Sequence, residues 1–220
     1  MCLVAHLMSN VFITFAFIMD QYRTFIFDLD GTLLNTLEDL YLSTNHALRQ
    51  MQMPERSMEE IRQFVGNGVH LLIERAVPSN TPTEVVEQTF QLFKRHYLVH
   101  GEDHTGPYPQ VKEMLAVLRQ RGKQIAVVSN KLDSATQLLC QRFFPNLIDV
   151  AVGDPPSLRL KPSPDMVLRA LTALNADPKE TVYVGDSDVD LLTARNSQLP
   201  CVSVLWGFRT RETLLANGAT

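Results

Sequence analysis

The chain has 220 residues, of which 45% are hydrophobic and 20% are charged, and its formal net charge is −4. This length accommodates one sizeable core with an insertion, or two small domains. The negative charge and the scattered Lys and Arg residues speak against nucleic-acid binding, so no nucleic-acid partner is expected. Three cysteines without a C-x-x-C pair favour a reduced, cytoplasmic protein over a disulfide scaffold or a zinc site.

The first twenty residues contain no Lys, Arg, Asp or Glu before Asp20, which raises the question of a membrane segment. A signal peptide would need a positively charged start and a small-residue cleavage site, and neither is present. A membrane span would leave almost no linker before the strand that begins near Thr24. We favour a third interpretation, a natural start at Met19. Residues 1–20 are therefore predicted to be an apolar extension, and no membrane partner is expected.

The segment Phe25–Thr36, FIFDLDGTLLNT, begins as a buried strand and ends in two acids, Asp28 and Asp30. Positions i and i+2 of an extended chain point the same way, so both carboxylates could face one reacting group. One could attack as a nucleophile while the other moves a proton. Gly31 and Thr32 can turn the chain and present backbone N–H groups to an anion, although Asp30 followed by Gly31 is by itself a common turn sequence.

Residues 36–104 have apolar residues at helical spacing and contain no convincing strand. Three capping patterns predict helix starts within this stretch: Thr36 with Asp39, Ser57 with Glu60, and Thr81 with Pro82 and Glu84. We therefore predict an all-helical cap domain over residues 36–104. It is inserted into an α/β core made of residues 21–35 and 105–220.

Four more apolar runs follow the insertion and predict strands, which begin near Gln124, Ile148, Thr181 and Cys201. Helical patterns lie between these runs, including one over Gln110–Arg121 and one that opens near Ser163 and Pro164. Alternating strands and helices of this kind indicate a Rossmann-like, doubly wound parallel sheet in an α/β fold.

Polar residues end three of the five predicted strands: Asp28 and Asp30, then Ser129 and Asn130, then the acidic run Asp186–Asp190. Ligands of an open parallel sheet bind at the carboxyl ends of its strands, so these side chains should meet. Acids gathered at one edge repel one another unless a cation lies between them, and aspartate oxygens suit Mg²⁺. The alternative for Ser129 and Asn130 is that they cap the following helix.

These segments resemble, in the correct order, four motifs of the haloacid dehalogenase superfamily. DLDGT resembles its D-x-D-G-T motif, VVSNK its Ser/Thr motif, KPSPD its lysine motif and VGDSDVD its acidic motif. The resemblance covers roughly residues 22–208. The helical insertion is similar to the small cap of the phosphoglycolate phosphatase and β-phosphoglucomutase branch.

The resemblance implies a role for each matching residue. Asp28 would form an aspartyl-phosphate, and Asp30 would act first as general acid and then as base. The residues implied to contact the phosphoryl group are Gly31, Ser129, Asn130 and Lys161. Lys161 would neutralise the charge of the group and orient Asp28, which is where phosphoryl transfer gains most of its rate.

The resemblance also implies a metal site and a specificity loop. The residues that would hold Mg²⁺ are Asp28, Asp30 through its backbone carbonyl, Asp186, and Asp190 in direct or indirect contact. Asp188 matches no fixed position and is interpreted as an exposed acid at a helix start. In the insertion, Gly66, Asn67 and Gly68 are candidates for a loop that selects the substrate; the alternative is a simple break between helices.

The chain departs from the family pattern at two turn positions. Related sequences often have glycine where this chain has Gln110 and Gln198. These departures put the local backbone geometry in question rather than the catalytic residues.

We therefore predict a Mg²⁺-dependent phosphatase that acts on a small phosphorylated metabolite, a phosphoglycolate-like monoester, through an aspartyl-phosphate. A β-phosphoglucomutase-like phosphomutase, and a pyrophosphatase or nucleotidase with the same residues, are alternatives. Dehalogenation is disfavoured by Asp30, since a halide leaving group needs no proton. A binding protein that keeps the fold without turnover should lack Asp28, Asp30 or Lys161, and all three are present.

Overall fold

The computed structural model describes residues 3–5, 15, 18–154 and 157–220. The chain divides into two compact units, one made of residues 1–33 and 107–220 and the other of Leu34–Gly106. The signal-peptide, membrane-span and Met19-start interpretations concern a segment that lies mostly outside the described residues. Within the described residues, no helix combines the length and the apolar character needed to cross a membrane.

The first unit is built on a parallel sheet. Among the described residues, the strands in chain order are β1 (Leu3–Ala5), β2 (Thr24–Phe27), β3 (Leu34–Asn35), β4 (Gly106–Pro107), β5 (Gln124–Leu132), β6 (Val150–Asp154), β7 (Thr181–Gly185) and β8 (Cys201–Val204). β3 pairs with β4 in a short ladder, and the other six form one sheet in the order β1-β8-β7-β2-β5-β6. Every neighbouring pair in this sheet is parallel.

The strand order confirms the predicted doubly wound fold. The chain runs outward from β2 through β5 to β6, and then returns to the other side of β2 to form β7 and β8. Since crossovers between parallel strands are right-handed, this reversal places helices on both faces of the sheet. The reversal also makes the carboxyl end of β2 the topological switch point, where such sheets bind their ligands.

All five predicted strands are present, and the sheet contains one more. β1 pairs with β8 so that Leu3 lies opposite Val202. The sequence does not predict it, because three residues inside an uncharged, mostly apolar stretch carry no alternating pattern or turn boundary. Among the described residues before β2, Phe15, Ile18 and Met19 are buried.

Helices connect the strands of the first unit and make up most of the second. In the second unit they are α1 (Leu37–Gln50), α2 (Met58–Phe64), α3 (Val69–Ala76) and α4 (Thr83–His100). In the first unit, the helices that follow the insertion are α5 (Val111–Gln120), α6 (Asp133–Phe143), α7 (Asp165–Leu174), α8 (Asp188–Asn196) and α9 (Arg211–Ala216), with a 3₁₀ turn at Pro178–Glu180. Residues 36–104 contain no strand, as the sequence pattern indicated.

Helices begin at all three predicted starts in the helical unit, and one of these starts has the predicted side-chain cap. Ser57 and Glu60 form the reciprocal capping box of α2. Neither Thr36, before α1, nor Pro82, before α4, makes a side-chain cap bond. The hydroxyl of Thr81 instead donates to the carbonyl of Pro78 at 2.6 Å, because a turn precedes the helix.

Asp39, predicted as part of the cap of α1, instead binds the end of the helical unit. Its carboxylate is buried and accepts hydrogen bonds from the backbone N–H groups of His104 and Thr105, at 3.0 and 2.8 Å. The Thr105 hydroxyl donates to it at 2.7 Å, and the His104 ring lies 2.9 Å away. Asp39 therefore joins the first turn of α1 to the last residues of the same unit.

The two departures from the family pattern have a backbone explanation. Gln110 has φ 67° and Gln198 has φ 57°, so both are left-handed. Glycine adopts this conformation without steric cost, which explains why the family pattern described above has glycine at these positions. The chain keeps the turns and carries the strain of two glutamines.

Candidate active site

Strand register brings the predicted residues to one edge of the first unit. Phe27 is level with Val127 on β5 and with Val184 on β7. Asp28 follows Phe27 directly. Ser129 lies two residues after Val127, and Asp186 lies two residues after Val184. The carboxyl ends of the three central strands thus deliver their polar residues to the switch point.

Three buried carboxylates converge at this edge. Asp28, Asp186 and Asp190 each offer an oxygen, and these oxygens lie within 4.8 Å of one another. Asp28 comes from the end of β2, Asp186 from the end of β7, and Asp190 from the first turn of α8. The three acids are at least nine-tenths buried. Buried carboxylate oxygens this close to one another suit a hard divalent cation.

Lys161 lies between two of these acids. Its ammonium nitrogen is 2.8 Å from Asp28 Oδ1 and 2.8 Å from Asp190 Oδ1, and only 2% of its side chain is exposed. It also donates to the hydroxyl of Tyr183 at 3.2 Å. The backbone N–H of Leu29 donates to the same oxygen of Asp28 at 2.7 Å, so the orientation of this carboxylate is fixed from two sides.

Asp190 is saturated with hydrogen bonds from the protein. Its Oδ1 accepts from Lys161 and from the Tyr183 hydroxyl, at 2.8 and 2.9 Å. Its Oδ2 accepts from the amides of Asp186 and Ser187 and from the Ser187 hydroxyl, at 3.2, 3.1 and 2.6 Å. Five donors occupy the lone pairs of this carboxylate. Of the two contacts implied for Asp190, indirect support of a cation fits this geometry better than direct ligation.

Asp186 is held by two hydrogen bonds and is closely surrounded by two glycines. Its Oδ1 accepts from the hydroxyl of Thr32 at 3.0 Å, and its Oδ2 accepts from the backbone N–H of Phe208 at 2.7 Å. A Cβ atom at Gly31 or at Gly207 would overlap its carboxylate, and Gly31 has φ 88°. Glycine is therefore required at Gly31 for space and for backbone conformation together.

Burial and neighbouring charges shift the pKa values of these acids in different directions. Burial, together with the charge of Asp190, raises the pKa of Asp28 well above its usual range. The same two causes raise the pKa of Asp186 to about 7. Burial also opposes ionisation of Asp190, but Lys161, together with hydrogen bonds from Ser187 and Tyr183, lowers the pKa of Asp190. Burial would lower the pKa of Lys161, but Asp190 and Asp28 raise it above its ordinary value.

A charge count shows what the site is missing. The described side chains at this edge include four buried or nearly buried carboxylates, of Asp28, Asp30, Asp186 and Asp190, and two buried ammonium groups, of Lys131 and Lys161. Two negative charges are left over when all six groups are ionised. Uncompensated buried charge is costly, so the donor set fits a single divalent cation.

Asp30, the second acid of the D-x-D pair, does not join the three convergent carboxylates. Asp30 lies opposite Lys131, whose ammonium nitrogen is 3.0 and 3.1 Å from its two carboxylate oxygens. Among the described residues, the convergent acids do not include the Asp30 side chain. The two acids of the motif therefore occupy different surroundings, as two different chemical roles would require.

The other predicted phosphate-binding residues are also at this edge. Ser129 is buried, and its hydroxyl accepts from the backbone N–H of Lys131 at 3.3 Å. Both ends of the Asn130 amide contact the backbone of Lys161: Oδ1 accepts from its N–H at 2.7 Å and Nδ2 donates to its carbonyl at 3.0 Å. Asn130 thus holds the segment that carries Lys161; its contact with phosphate stays a prediction.

The remaining predicted residues lie elsewhere. Asp188 is the first residue of α8, as expected, and accepts from Arg209 Nε at 3.0 Å. Gly66, Asn67 and Gly68 form the connection between α2 and α3 in the helical unit. Arg75 donates to the side chain of Asn67 at 3.1 Å and to the carbonyl of Phe64 at 2.8 Å, and these two hydrogen bonds hold the loop against α3.

Three contributors were missed by sequence reasoning. Lys131 was visible in VVSNK but was given no role. Tyr183 lies in an apolar strand, where a buried hydroxyl requires a partner, and this requirement was the available signal. The backbone N–H of Phe208 left no side-chain signal, and Gly207 beside it was the only hint.

Comparison with known proteins gives a consistent result. Residues 25–204 match the family of haloacid dehalogenase-like hydrolases. The chain is 31% identical to a phosphoglycolate phosphatase of Aquifex aeolicus (strain VF5) over 187 residues, which cover 84% of this chain and 86% of the relative. It is 34% identical to a phosphoglycolate phosphatase of Caulobacter vibrioides over 200 residues, covering 89% and 84%.

A solved structure shows the same fold. The crystal structure of a presumed phosphoglycolate phosphatase from Lactobacillus delbrueckii subsp. bulgaricus superposes with a TM-score of 0.86 at 34% identity. The match covers 91% of this chain and 93% of that one.

Proposed function

The chain belongs to the haloacid dehalogenase-like hydrolase family, and we propose that it is a Mg²⁺-dependent phosphatase acting on a small, phosphoglycolate-like phosphate monoester. Its relatives from Aquifex aeolicus and Caulobacter vibrioides, named phosphoglycolate phosphatases, support the substrate class. The sequence has three cysteines and no C-x-x-C pair, which suits the cytoplasm, the location we propose. Recovery of the native protein in a membrane or secreted fraction would contradict that location.

One observation carries the proposal. Asp28 is held by Lys161 beside Asp186 and Asp190, while Asp30 is held separately by Lys131. An acid beside a cation site and a lysine is equipped to attack phosphorus, and a second acid outside that group is equipped to move a proton.

We propose the following steps for the residues of this chain. An oxygen of Asp28 attacks phosphorus and forms an aspartyl-phosphate, while the bond to the leaving oxygen breaks and that oxygen takes a proton from Asp30. Asp30 then takes a proton from a water that attacks the aspartyl-phosphate, which releases phosphate and restores Asp28. In this proposal, Lys161, the hydroxyl of Ser129 and the backbone N–H of Gly31 stabilise the charge on the phosphoryl oxygens.

The residues proposed to hold Mg²⁺ are Asp28, Asp186 and the backbone carbonyl of Asp30, with Asp190 fixing Lys161 and the loop that carries Asp186. When bound, the ion neutralises phosphate oxygens and makes phosphorus more open to attack.

Phosphate release from a panel of esters tests the proposed function. The panel contains phosphoglycolate, sugar phosphates, nucleotides, pyrophosphate and p-nitrophenyl phosphate, each with Mg²⁺ and with a chelator. We expect Mg²⁺-dependent release, highest for small monoesters. Absence of turnover by pure folded protein, or unchanged turnover with chelator, would contradict the proposal. Preference for nucleotides or pyrophosphate would assign another substrate class to the same residues.

Binding of Mg²⁺ should depend on pH. The pKa of Asp186 is raised to about 7, so the metal-free folded protein holds protons that the unfolded chain has lost. Its stability without metal should therefore fall as the pH rises from about 4 through about 7. A cation displaces these protons, so Mg²⁺ should bind about tenfold more tightly at pH 8 than at pH 6. The increase in melting temperature caused by excess Mg²⁺ should be larger at pH 8.

Thermal unfolding at both pH values, with and without Mg²⁺, measures this difference. The variant Asp186→Asn is the matched control, because an amide at this position cannot hold the proton and ligates more weakly. An equal or smaller Mg²⁺ effect at pH 8 in the native protein would show that Asp186 is not part of the metal site.

We also propose that Gly66, Asn67 and Gly68 contribute to the choice of substrate, as the resemblance of the insertion implies. Gly66 and Gly68 have φ 126° and 88°, so the loop has a backbone that few residues could replace. Asn67→Ala should change the ratio of kcat/KM values among the panel esters by roughly three- to tenfold. The exposed change Lys112→Met, in α5, is the control, and an unaltered ratio in Asn67→Ala would argue against the loop.

A further inference from the structure

We propose that Lys131 is a positioning residue for the proton donor Asp30, an inference that rests on the proposed function. Its ammonium nitrogen reaches both carboxylate oxygens of Asp30, at 3.0 and 3.1 Å. Only 3% of the Lys131 side chain and 16% of the Asp30 side chain are exposed. The contact joins residues 101 positions apart in the sequence, so the fold itself creates it.

A contribution to folding stability does not explain the buried ion pair of Lys131 and Asp30. Burying an ammonium group costs several kcal/mol of desolvation, and apolar residues of similar volume often serve a core equally well or better. Lys131 lies near the end of β5, a strand whose preceding residues Ile125–Val128 are all buried and apolar. A lysine at this point, aimed back at the catalytic edge, is better explained by the chemistry of that edge.

The two buried lysines of the site divide the acids between them. Lys161 contacts Asp28 and Asp190, whereas Lys131 contacts Asp30. This division holds the nucleophile and the proton donor in separate orientations. Without Lys131, the Asp30 carboxylate is free to turn about its side-chain bonds toward the other positive charges of the site. A misplaced acid loses proton-transfer efficiency even when it is still present.

The geometry is compatible with the step that Asp30 performs. A protonated carboxyl group can accept from Lys131 on one oxygen while its other oxygen carries the proton toward the leaving oxygen. As the bond from phosphorus to that oxygen breaks and the bond from Asp28 forms, the electron pair on the leaving oxygen takes this proton. Lys131 neither gives nor receives a proton; it sets the direction in which Asp30 points.

Esters with different leaving groups test this role. An alkyl phosphate such as phosphoglycolate releases a strongly basic alkoxide and needs the proton, whereas p-nitrophenyl phosphate releases a weakly basic phenolate and does not. We expect Lys131→Met to lower kcat/KM for the alkyl ester by roughly ten- to hundredfold, and for the aryl ester by less than about threefold. Asp30→Asn should show the same contrast, and adding Lys131→Met to it should cause no further contrast.

Lys131→Gln gives the same measurement if the methionine variant does not fold, and Lys112→Met on the exposed face of α5 is the control. Equal losses for both esters, or no loss for either, would overturn the role of Lys131 and leave the phosphatase proposal standing. Failure of the native protein to release phosphate from any ester would overturn both, so the two failures are distinguishable.

Discussion

Replacing Asp28 with asparagine is expected to lower kcat for phosphate-ester hydrolysis by at least ~10⁴-fold, because a neutral amide oxygen cannot serve as the attacking nucleophile. The fold should survive, since asparagine has nearly the same shape. Burial and the charge of Asp190 already raise the pKa of Asp28, so its ionised form is disfavoured in the metal-free protein. Removal of this charge should therefore leave the melting temperature without metal unchanged or higher.

Phosphate release and thermal unfolding, measured on the same preparation, separate these two effects. Asp188→Asn is the matched control: Asp188 belongs to the same acidic motif but pairs with Arg209 outside the three convergent acids. Full activity in Asp28→Asn would exclude the aspartyl-phosphate. Equal losses in both variants would point to a general electrostatic effect of the motif rather than a nucleophile.

Much of the fold could be predicted because its strands are buried on both sides. The runs that became β2, β5, β7 and β8 are continuous and apolar, and helices of clear amphipathic pattern separate them. β1 could not be predicted, since its pairing with β8 depends on an edge that exists only once the sheet has formed. Side-chain cap bonds are absent at Thr36 and Thr81. The Thr81 hydroxyl donates to the carbonyl of Pro78, and the Asp39 carboxylate accepts from the backbone of His104 and Thr105.

The site was predictable where its chemistry resides in side chains at strand ends. Asp28, Ser129 and Asp186 could be placed together from topology alone, since parallel strands bring their carboxyl ends to one edge. The pairing of Lys131 with Asp30 could not be predicted in this way. Strand topology brings Lys131 and Lys161 to the same edge, but the direction of each side chain decides which acid it contacts. The support of Asp186 by the Phe208 amide was equally hidden, since every residue except proline carries the same backbone donor.

Lys161→Met is expected to lower both the free energy of unfolding and kcat. The change leaves Asp28 and Asp190, now unpaired, in a buried site, and removing one partner of a buried pair typically costs about 3–5 kcal/mol. Loss of the charge beside the phosphoryl group should lower kcat by a further ~10²- to 10³-fold. The deficit in stability should be smaller at pH 5 than at pH 8, because protonation of the two carboxylates removes their repulsion at low pH.

Denaturant unfolding of the metal-free protein at both pH values, followed by phosphate release with saturating Mg²⁺, measures these quantities. Lys112→Met removes an exposed lysine from α5 and provides the matched control for loss of one positive charge. An unfolding free energy equal to that of the control would mean that the Lys161 pair is replaceable. A normal kcat with reduced stability would confine Lys161 to holding Asp28 and Asp190 in place and would exclude its action on the phosphoryl group.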